Sequence, residues 1–182
     1  MRVATQTMSV EEYIAFEETS EVRHEYFNGK IYEMPRTTDF HNLICGNIYI
    51  LLRQLFRGTN AGVFTENVKM RITDEKYTYP DVFLTSDERD LQSRTIKKYP
   101  SVIIEVLSDK TRVYDKTDKF ILYQKISSLK HYLTVEPEKP LVEVYSIQED
   151  GTWEVETFTL TSETINLTSL NIELKMTDIY QK

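Results

Sequence analysis

Two acidic residues have the types and the spacing of a site that handles a phosphate group. Glu105 lies within Val-Ile-Ile-Glu-Val-Leu, where every neighbour is apolar, and Asp81 follows Pro80 at the start of another predicted strand. An ionised carboxylate in a buried strand is costly unless a cation or hydrogen-bond donors meet it. Because Mg²⁺ prefers one or two carboxylates together with water and phosphate oxygens, the pair predicts a divalent-metal site.

Each of these carboxylates also has an ordinary structural interpretation. Glu105 could point outward from a half-exposed strand, although Ile103 and Leu107 would then share its side. Asp81 could belong to a simple Pro-Asp turn. The metal hypothesis therefore rests on the pairing of the two residues, since a cation removes the repulsion between carboxylates on adjacent strands.

A row of residues on the next predicted helix adds a positive charge. Steps of four residues separate Thr111, Asp115, Lys119 and Tyr123. Four residues advance about 400° on an α-helix, so these side chains share one face. An exposed face with an i,i+4 ion pair is the simpler alternative. Because the helix directly follows the strand of Glu105, we expect it to lie back beside that strand, with Lys119 near the carboxylates.

The elements that must position these residues follow from hydrophobic periodicity, capping residues and turns. Ser9 and Glu12 form a capping box, and Asn28-Gly29 between two extended runs is typical of a type I′ hairpin turn. The predicted helices span 9–18, 39–58 and 109–126. The predicted strands lie within 22–34, 63–72, 79–84, 102–107, 131–135, 141–147 and 153–160, the last two joined by a turn at Asp150-Gly151. The pattern from residue 164 onward is weaker.

This order of elements predicts a mixed α/β or α+β domain around one sheet. The nearly continuous apolar run at 102–107 predicts a strand that is buried on both faces. A length of 182 residues suits a single domain over residues 1–182. We find no repeat, no low-complexity run and no clear linker.

The charge balance disfavours a protein that coats nucleic acid through bulk charge. The chain has 22 Lys and Arg against 29 Asp and Glu, a net charge of −7, and non-specific binding depends on phosphate neutralisation. A metal ion and a local basic rim could still hold phosphates. The candidates for such a rim, each of which could equally be a solvated surface residue, are Arg94, Lys97, Lys98, Lys110, Arg112 and Lys116.

Cysteine usage and hydropathy predict a cytoplasmic protein. Cys45 is the only cysteine, which excludes a disulfide within the chain and favours a reducing compartment. One Cys and three scattered His residues do not supply the spacing of a Cys/His zinc site. No stretch reaches the ~18–20 apolar residues of a membrane span, and residues 1–7 contain no apolar segment of a secretory signal.

Several segments, in order and spacing, resemble the Uma-two family, a bacterial group described as restriction endonucleases within the PD-(D/E)xK nuclease superfamily. The segments are Arg-His-Glu-Tyr at 23–26, Asn-Gly-Lys-Ile at 28–31, His41, Tyr-Pro-Asp-Val at 79–82, Glu-Val-Leu-Ser at 105–108 and the row from Thr111 to Tyr123. The resemblance extends from Ser9 to about Tyr180.

The resemblance implies a restriction-endonuclease-like mixed β-sheet flanked by helices and a metal-dependent endonuclease that hydrolyses DNA phosphodiester bonds. Asp81 and Glu105 would be catalytic residues and ligands of Mg²⁺, with Mn²⁺ as an alternative. The superfamily usually has its lysine two positions after the glutamate, where this sequence has Leu107. The resemblance places the catalytic lysine on the following helix instead, as Lys119.

Three further residues would support this site. Glu25 matches the N-terminal glutamate of the family, His41 matches a histidine at the head of the long helix, and Asp115 precedes the lysine by one helical turn. Each alone has an ordinary alternative: a surface residue for Glu25, a capping or exposed residue for His41 and an ion-paired surface residue for Asp115.

Partner and function hypotheses follow from the same resemblance. DNA is the expected substrate, and a homodimer is expected because two-fold symmetry is frequent and matches duplex DNA; no other protein partner can be inferred. The main alternative is a binding or assembly protein that keeps the nuclease fold without catalysis. A hydrolase of another phosphorylated substrate is a third hypothesis, although the sequence contains no nucleophile elbow, P-loop or dinucleotide fingerprint.

Overall fold

The computed structural model describes the backbone of residues 2–34 and 37–181, with side chains from residue 7 onward. Met1 and Lys182, the predicted domain ends, lie outside the described residues. The strands are β1 Arg2–Thr7, β2 His24–Phe27, β3 Lys30–Glu33, β4 Gly62–Thr65, β5 Lys69–Thr73, β6 Lys76–Thr78, β7 Val82–Thr85, β8 Ile96–Lys97, β9 Val102–Val106, β10 His131–Val135, β11 Val142–Ile147, β12 Trp153–Phe158, β13 Thr164–Leu167 and β14 Ile172–Lys175. The helices are α1 Val10–Thr19, α2 Asp39–Leu55, α3 Glu88–Gln92, α4 Arg112–Tyr114, α5 Phe120–Tyr123 and α6 Met176–Ile179.

These strands form two six-stranded sheets and a C-terminal hairpin. The first sheet has the order β1-β3-β2-β6-β5-β8, the second has the order β12-β11-β10-β9-β7-β4, and β13 pairs with β14. Parallel pairing joins β9 to β10 and β5 to β8, whereas the neighbouring pairs are antiparallel. The mixed α+β class is confirmed, but the expectation of one sheet is wrong.

The centre of the second sheet is the most deeply buried part of the described chain. Every residue of β9 and of β10 is buried, which confirms the strand predicted from the apolar run. Because successive side chains alternate between faces, Ile104 packs in the cluster that includes Ile48 of α2, while Ile103 packs against Tyr123 of α5. Glu105 therefore shares its face of the sheet with Ile103, on the side of α5.

The first sheet packs against α1 through a cluster of aromatic side chains. Tyr13 of α1 stacks on Tyr26 of β2, with ring centroids 4.8 Å apart, and both belong to a small core with Ile31. The capping box at Ser9 and Glu12 is present and confirms the predicted start of this helix. Since Tyr26 faces α1, its neighbours in β2 face the opposite side.

Two predicted strands are wrong because each includes residues at which the chain passes from one sheet to the other. The segment 63–72 divides into β4 and β5, which belong to different sheets, and 79–84 begins only at Val82. Residues 79–81 connect β6 of the first sheet to β7 of the second. Alternation along each run was compatible with one strand, because periodicity does not reveal where a chain changes sheets.

The predicted helix over 109–126 is shorter and irregular. α4 begins at Arg112 and continues as a π-helical turn, Asp115–Lys119, before α5 ends at Tyr123. Single π turns inside α-helices are frequent at functional sites. The long helix α2 begins at Asp39 as predicted, with Thr38 as its N-cap, but ends at Leu55 rather than near Gly58.

No helix in the ranges 2–34 and 37–181 combines the length and the apolar character needed to cross a membrane.

We predict that Gly29→Ala lowers the free energy of unfolding by about 1–2 kcal/mol, the cost of a left-handed conformation for an L-residue. Gly29 has φ +88°, and an added Cβ would lie 2.9 Å from Thr7 Cγ2. Gly46→Ala is the control, because that helical glycine has open space around it and should gain about 0.5–1 kcal/mol. Urea denaturation measures both, and equal effects would contradict the argument.

Candidate active site

Five parts of the fold converge on one pocket. Its lining includes all six residues singled out in the sequence: Glu25, His41, Asp81, Glu105, Asp115 and Lys119. The pocket has a volume of about 50 Å³, which accommodates an ion or a few water molecules but not a nucleotide. A larger substrate must therefore bind across its mouth.

Asp81 is positioned by the junction between the two sheets. Val82 of β7 pairs with Ile104 of β9. Asp81 comes directly before Val82, and Glu105 comes directly after Ile104. In antiparallel strands this places the two residues opposite each other. The backbone N–H of Val106 donates to Asp81 Oδ2 at 2.8 Å and fixes that carboxylate beside β9.

Glu105 is buried and its carboxylate is held from two directions. Lys119 Nζ lies 2.9 Å from Glu105 Oε1, and the Tyr123 hydroxyl donates to the same oxygen at 2.7 Å. Glu105 is only 2% exposed, so the outward-facing alternative is excluded. Lys119 and Tyr123, two members of the row with four-residue spacing, therefore contact the carboxylate of Glu105, as predicted.

Lys119 is shared by three acidic residues. Its Nζ is 2.9 Å from Glu105 Oε1 and 3.4 Å from both Glu25 Oε1 and Asp115 Oδ1. All four side chains are buried. The π-helical turn starts at Asp115 and ends at Lys119, and both residues point inward, so the alternative of an exposed ion pair is also excluded.

Glu25 comes from the first sheet and brings an oxygen without a partner. It lies between His24 and Tyr26 on β2, and it pairs in register with Tyr32, which lines the same pocket. Its Oε2 is buried and makes no hydrogen bond to any residue within 2–34 or 37–181. An unpaired buried carboxylate oxygen is costly, so it is a natural ligand for water or a cation.

His41 lies in the first turn of α2, where its backbone N–H donates to the N-cap Thr38 side chain at 3.2 Å. The imidazole is buried rather than exposed, with Nε2 3.3 Å from Asp81 Oδ2 and Nδ1 3.5 Å from Cys45 Sγ. Burial opposes a positive charge on His41, but the hydrogen bond and the negative charge of Asp81, with smaller contributions from Val106 and Glu66, together outweigh it and raise the pKa of His41. His41 therefore links the long helix to the metal-ligand candidate Asp81.

The pocket carries an excess of negative charge. Its four carboxylates face one lysine and one histidine. Burial, reinforced by the carboxylates of Asp81 and Asp115, raises the pKa of Glu105 well above 4.5 despite the nearby lysine. Burial also opposes the charge of Lys119, but attraction to Glu105 and Glu25 outweighs it and raises the lysine pKa. Neighbouring acidic groups contribute to both shifts, and Lys119 stays positively charged at neutral pH.

The donor set fits a hard divalent cation. Asp81 and Glu105 lie opposite each other and line the pocket, and carboxylate oxygens are the ligands that Mg²⁺ prefers. The unpaired oxygen of Glu25 and the excess negative charge are both relieved by a cation. A second combination of ligand atoms, from His41, Cys45 and Asp81, lies within 4.8 Å. Its nitrogen and sulfur atoms suit softer metals than Mg²⁺.

The predicted basic rim is only partly available to phosphates. Lys97 is buried, and its Nζ donates to the backbone carbonyls of Asp90 and Ser93, so its assignment to the rim is wrong. Arg112 pairs with Glu136, and Lys116 pairs with Glu143. Lys110 is exposed and lines the cavity next to the site.

Sequence reasoning missed several neighbours of the site. Tyr79 lines the pocket, and its hydroxyl donates to Glu17 Oε1 at 2.9 Å. Tyr32 and Thr37 line it from the hairpin and from the segment before α2. The Tyr-Pro-Asp segment could have identified Tyr79, but no local pattern identifies Tyr32, because only the sheet pairing brings it beside Glu25.

The same architecture occurs in a solved structure. A solved structure described as a putative nuclease belonging to DUF820, from Anabaena variabilis, superposes with a TM-score of 0.79 at 19% sequence identity. The superposition covers 95% of this chain and 97% of that chain. At this identity the likeness establishes the fold, including the mixed sheets flanked by helices.

The sequence comparisons define the family. The family model described as "Uma2: Putative restriction endonuclease" matches residues 10–177, so the chain belongs to this family and the predicted membership is confirmed. The uncharacterized protein slr1290 of Synechocystis sp. is 32% identical over 175 residues, covering 96% of this chain and 92% of its own length. The uncharacterized protein sll1609 of the same organism is 29% identical, covering 82% and 86%.

We predict that Lys119→Met lowers the free energy of unfolding by about 3–5 kcal/mol, because it leaves buried carboxylates without their cation. Lys116→Met is the matched control. Lys116 is a quarter exposed and pairs with Glu143 at 2.9 Å, so its loss should cost less than about 1 kcal/mol. Urea denaturation at pH 7 in EDTA measures both, and similar losses would contradict a special role of the Lys119 charge.

We predict that the stability that Glu105 contributes in EDTA falls as the pH rises above 4.5. A carboxyl group with a raised pKa binds a proton in the folded chain after the unfolded chain has lost it, so its contribution is complete below 4.5 and is lost as the pH rises through the folded pKa. The loss is at most about 1.4 kcal/mol per pH unit for each extra proton bound. His41, whose pKa is also raised, acts in the same direction, whereas burial lowers the pKa of His131 to about 4, so that His131 acts in the opposite direction between about 4 and 6.5.

Thermal melting of wild type and Glu105→Gln between about pH 5.5 and 8 checks the prediction, because the stability of the variant relative to wild type should increase as the pH rises. Glu143→Gln is the control, because the Lys116 partner helps to lower the pKa of Glu143. The stability contributed by a lowered pKa is lost only toward acid pH, so this control should keep the wild-type slope. A Glu105→Gln slope as steep as that of the wild type would contradict the analysis.

Proposed function

We propose that this protein is a Mg²⁺-dependent endonuclease that hydrolyses phosphodiester bonds in DNA. The observation that carries the proposal is the buried set of opposed carboxylates, Asp81 and Glu105, with the charged Lys119 at 2.9 Å from Glu105. A phosphodiester is an anion, and a pocket with surplus carboxylates can bind it only with a cation present. Family membership and the nuclease fold support the same class of reaction.

Asp81 and Glu105 would hold the metal, and Mn²⁺ would satisfy the same oxygen ligands. A bound divalent ion would polarise the scissile phosphate and lower the pKa of a bound water. Lys119 stays protonated, so it would act as a fixed positive charge beside the reacting phosphate rather than as a base. The free oxygen of Glu25 would accept a hydrogen bond from the attacking water, while His41 would hold the orientation of Asp81.

The remaining expectations are a cytoplasmic location and a homodimer. A symmetric dimer would present two such pockets to the two strands of a duplex. Sedimentation equilibrium of the wild-type protein, alone and with duplex DNA, tests this expectation, and a monomer under both conditions would overturn it.

We predict that Asp81→Asn, Glu105→Gln and Lys119→Met each reduce Mg²⁺-dependent DNA cleavage by at least about 100-fold, the typical effect of removing one preorganised group. Glu143→Gln should retain cleavage, because Glu143 lies outside the pocket lining. Cleavage is measured on plasmid and on linear DNA with Mg²⁺ and with EDTA. Full DNA cleavage in EDTA, or by the three variants, would contradict the proposal.

Calorimetric titration with Mg²⁺ separates binding from chemistry. Wild type should bind the ion, and the Asp81→Asn/Glu105→Gln double variant should not. Metal binding without cleavage of any nucleic acid would favour the non-catalytic alternative, in which the fold serves binding or assembly.

A further inference from the structure

A further cavity, distinct from the one that Lys110 and His41 line together, adjoins the active-site pocket and has a different character. We call it the aromatic pocket, and its lining is Phe27, Asn28, Tyr32, Lys76, Lys110, Tyr114 and Leu122. Its volume is about 350 Å³, within the range of about 300–1,000 Å³ for small-ligand sites. Tyr32 lines both cavities, so a ligand in the aromatic pocket lies one side chain away from the carboxylates.

The aromatic side chains of this cavity are not part of the hydrophobic cores. Phe27, Tyr32 and Tyr114 are half-buried, unlike the fully packed Tyr26 and Tyr77 of the same sheet. Phe27 meets Tyr32 at 57° and Tyr114 at 72°, with ring centroids 5.6 and 6.4 Å apart. The rings meet at steep angles rather than in a stack, and all three line the cavity, so the cavity offers aromatic surface to a flat ligand.

The charge of the cavity is complementary to nucleic acid. Within the described residues its lining contains two lysines and no acidic side chain, in contrast to the active-site pocket. Neither Lys76 nor Lys110 has an ion-pair partner in the ranges 2–34 and 37–181. Exposed Asn28 supplies an amide that can both donate to and accept from a base edge.

Residues of the aromatic pocket are close neighbours in the chain of residues that line the active-site pocket. Tyr114 immediately precedes Asp115, which lies 3.4 Å from Lys119, and Phe27 follows Glu25 by two residues on β2. Because the two cavities share Tyr32, a base that adjoins a phosphate at the carboxylates has the aromatic pocket as its neighbouring cavity. Base stacking on aromatic side chains is favourable for every base and does not require a sequence.

We propose that the aromatic pocket binds an unpaired nucleobase next to the scissile phosphate, so that the preferred substrate has unpaired nucleotides at the cleavage position. This inference rests on the proposed function for the position of the phosphate. A base in a duplex is paired and stacked, and it must leave the helix to reach such a cavity. Ends with overhangs, gaps and single strands satisfy this condition at lower cost.

The test measures binding separately from cleavage. Fluorescence anisotropy with Mg²⁺ compares Glu105→Gln on a blunt duplex and on the same duplex with a single-stranded overhang. This background suppresses the proposed cleavage and removes one negative charge from the pocket. The overhang substrate should bind at least about 10-fold more tightly than the blunt duplex, as expected for one or more stacked bases.

Substitutions in the same background locate the effect. Tyr114→Leu should weaken overhang binding by about 5- to 150-fold and leave blunt-duplex binding nearly unchanged, whereas Tyr114→Phe, which keeps the ring, should retain the preference. Lys110→Gln, at an exposed residue, should weaken overhang binding and reduce its salt dependence. Melting temperatures confirm that each variant is folded.

The outcomes separate the two proposals. Equal affinity for blunt and overhang DNA, or equal losses on both with Tyr114→Leu, would overturn the aromatic-pocket assignment while leaving wild-type cleavage untouched. Absence of cleavage by the wild type together with a Tyr114-dependent overhang preference would overturn the endonuclease proposal and keep the pocket as a nucleobase site. No measurable binding to either DNA by any of the folded proteins would overturn the assignment.

Discussion

Repulsion among buried carboxylates is the constraint on which this structure depends. Glu25, Glu105 and Asp115 come from different elements, and each ends within 3.4 Å of the ammonium of Lys119. Without a cation these groups would not share one desolvated space. Burial and the neighbouring carboxylates raise the pKa of Glu105 despite the lysine, so Lys119 satisfies these groups only in part. The same electrostatic surplus is the basis of the proposed binding of a divalent ion.

The two sheets meet where this constraint is strongest. The connection from β6 to β7 carries the chain from one sheet to the other and has Asp81 at its end. The N–H of Val106 holds that residue against the second sheet, while Glu25 enters from the first. The geometry of the site is therefore set by the packing of the sheets on each other, and not by a single flexible loop.

Turn residues, capping residues and apolar runs in the sequence predicted much of the fold and part of the site. The Asn28-Gly29 turn has φ of +49° and +88° as its type requires, and the capping box at Ser9 starts its helix. The apolar run around Glu105 identified both the buried strand and its unusual carboxylate. These features depend on neighbours in the sequence, so a single chain reveals them. The family resemblance added Glu25 and His41, which spacing alone did not distinguish from surface residues.

Features that depend on distant partners were not predictable in this way. Nothing near Lys97 indicates that its ammonium is held by two backbone carbonyls, and nothing near Tyr32 places it between two cavities. A π-helical turn runs from Asp115 to Lys119, and both residues are buried. The sequence spacing predicted an ordinary α-helix at this position. Tertiary packing determines these outcomes after local preferences are satisfied.

Because the site residues are widely separated along the chain, the site exists only in the folded protein. Asp81 and Glu105 meet only after β7 has paired with β9, and Glu25 joins them only when the first sheet has docked. Contacts between distant segments carry the largest loop-closure cost and form late. A nascent or partly unfolded chain therefore has scattered, solvated carboxylates and no assembled centre. If this centre cuts DNA, synthesis of the chain poses no hazard to the cell's DNA until folding is complete.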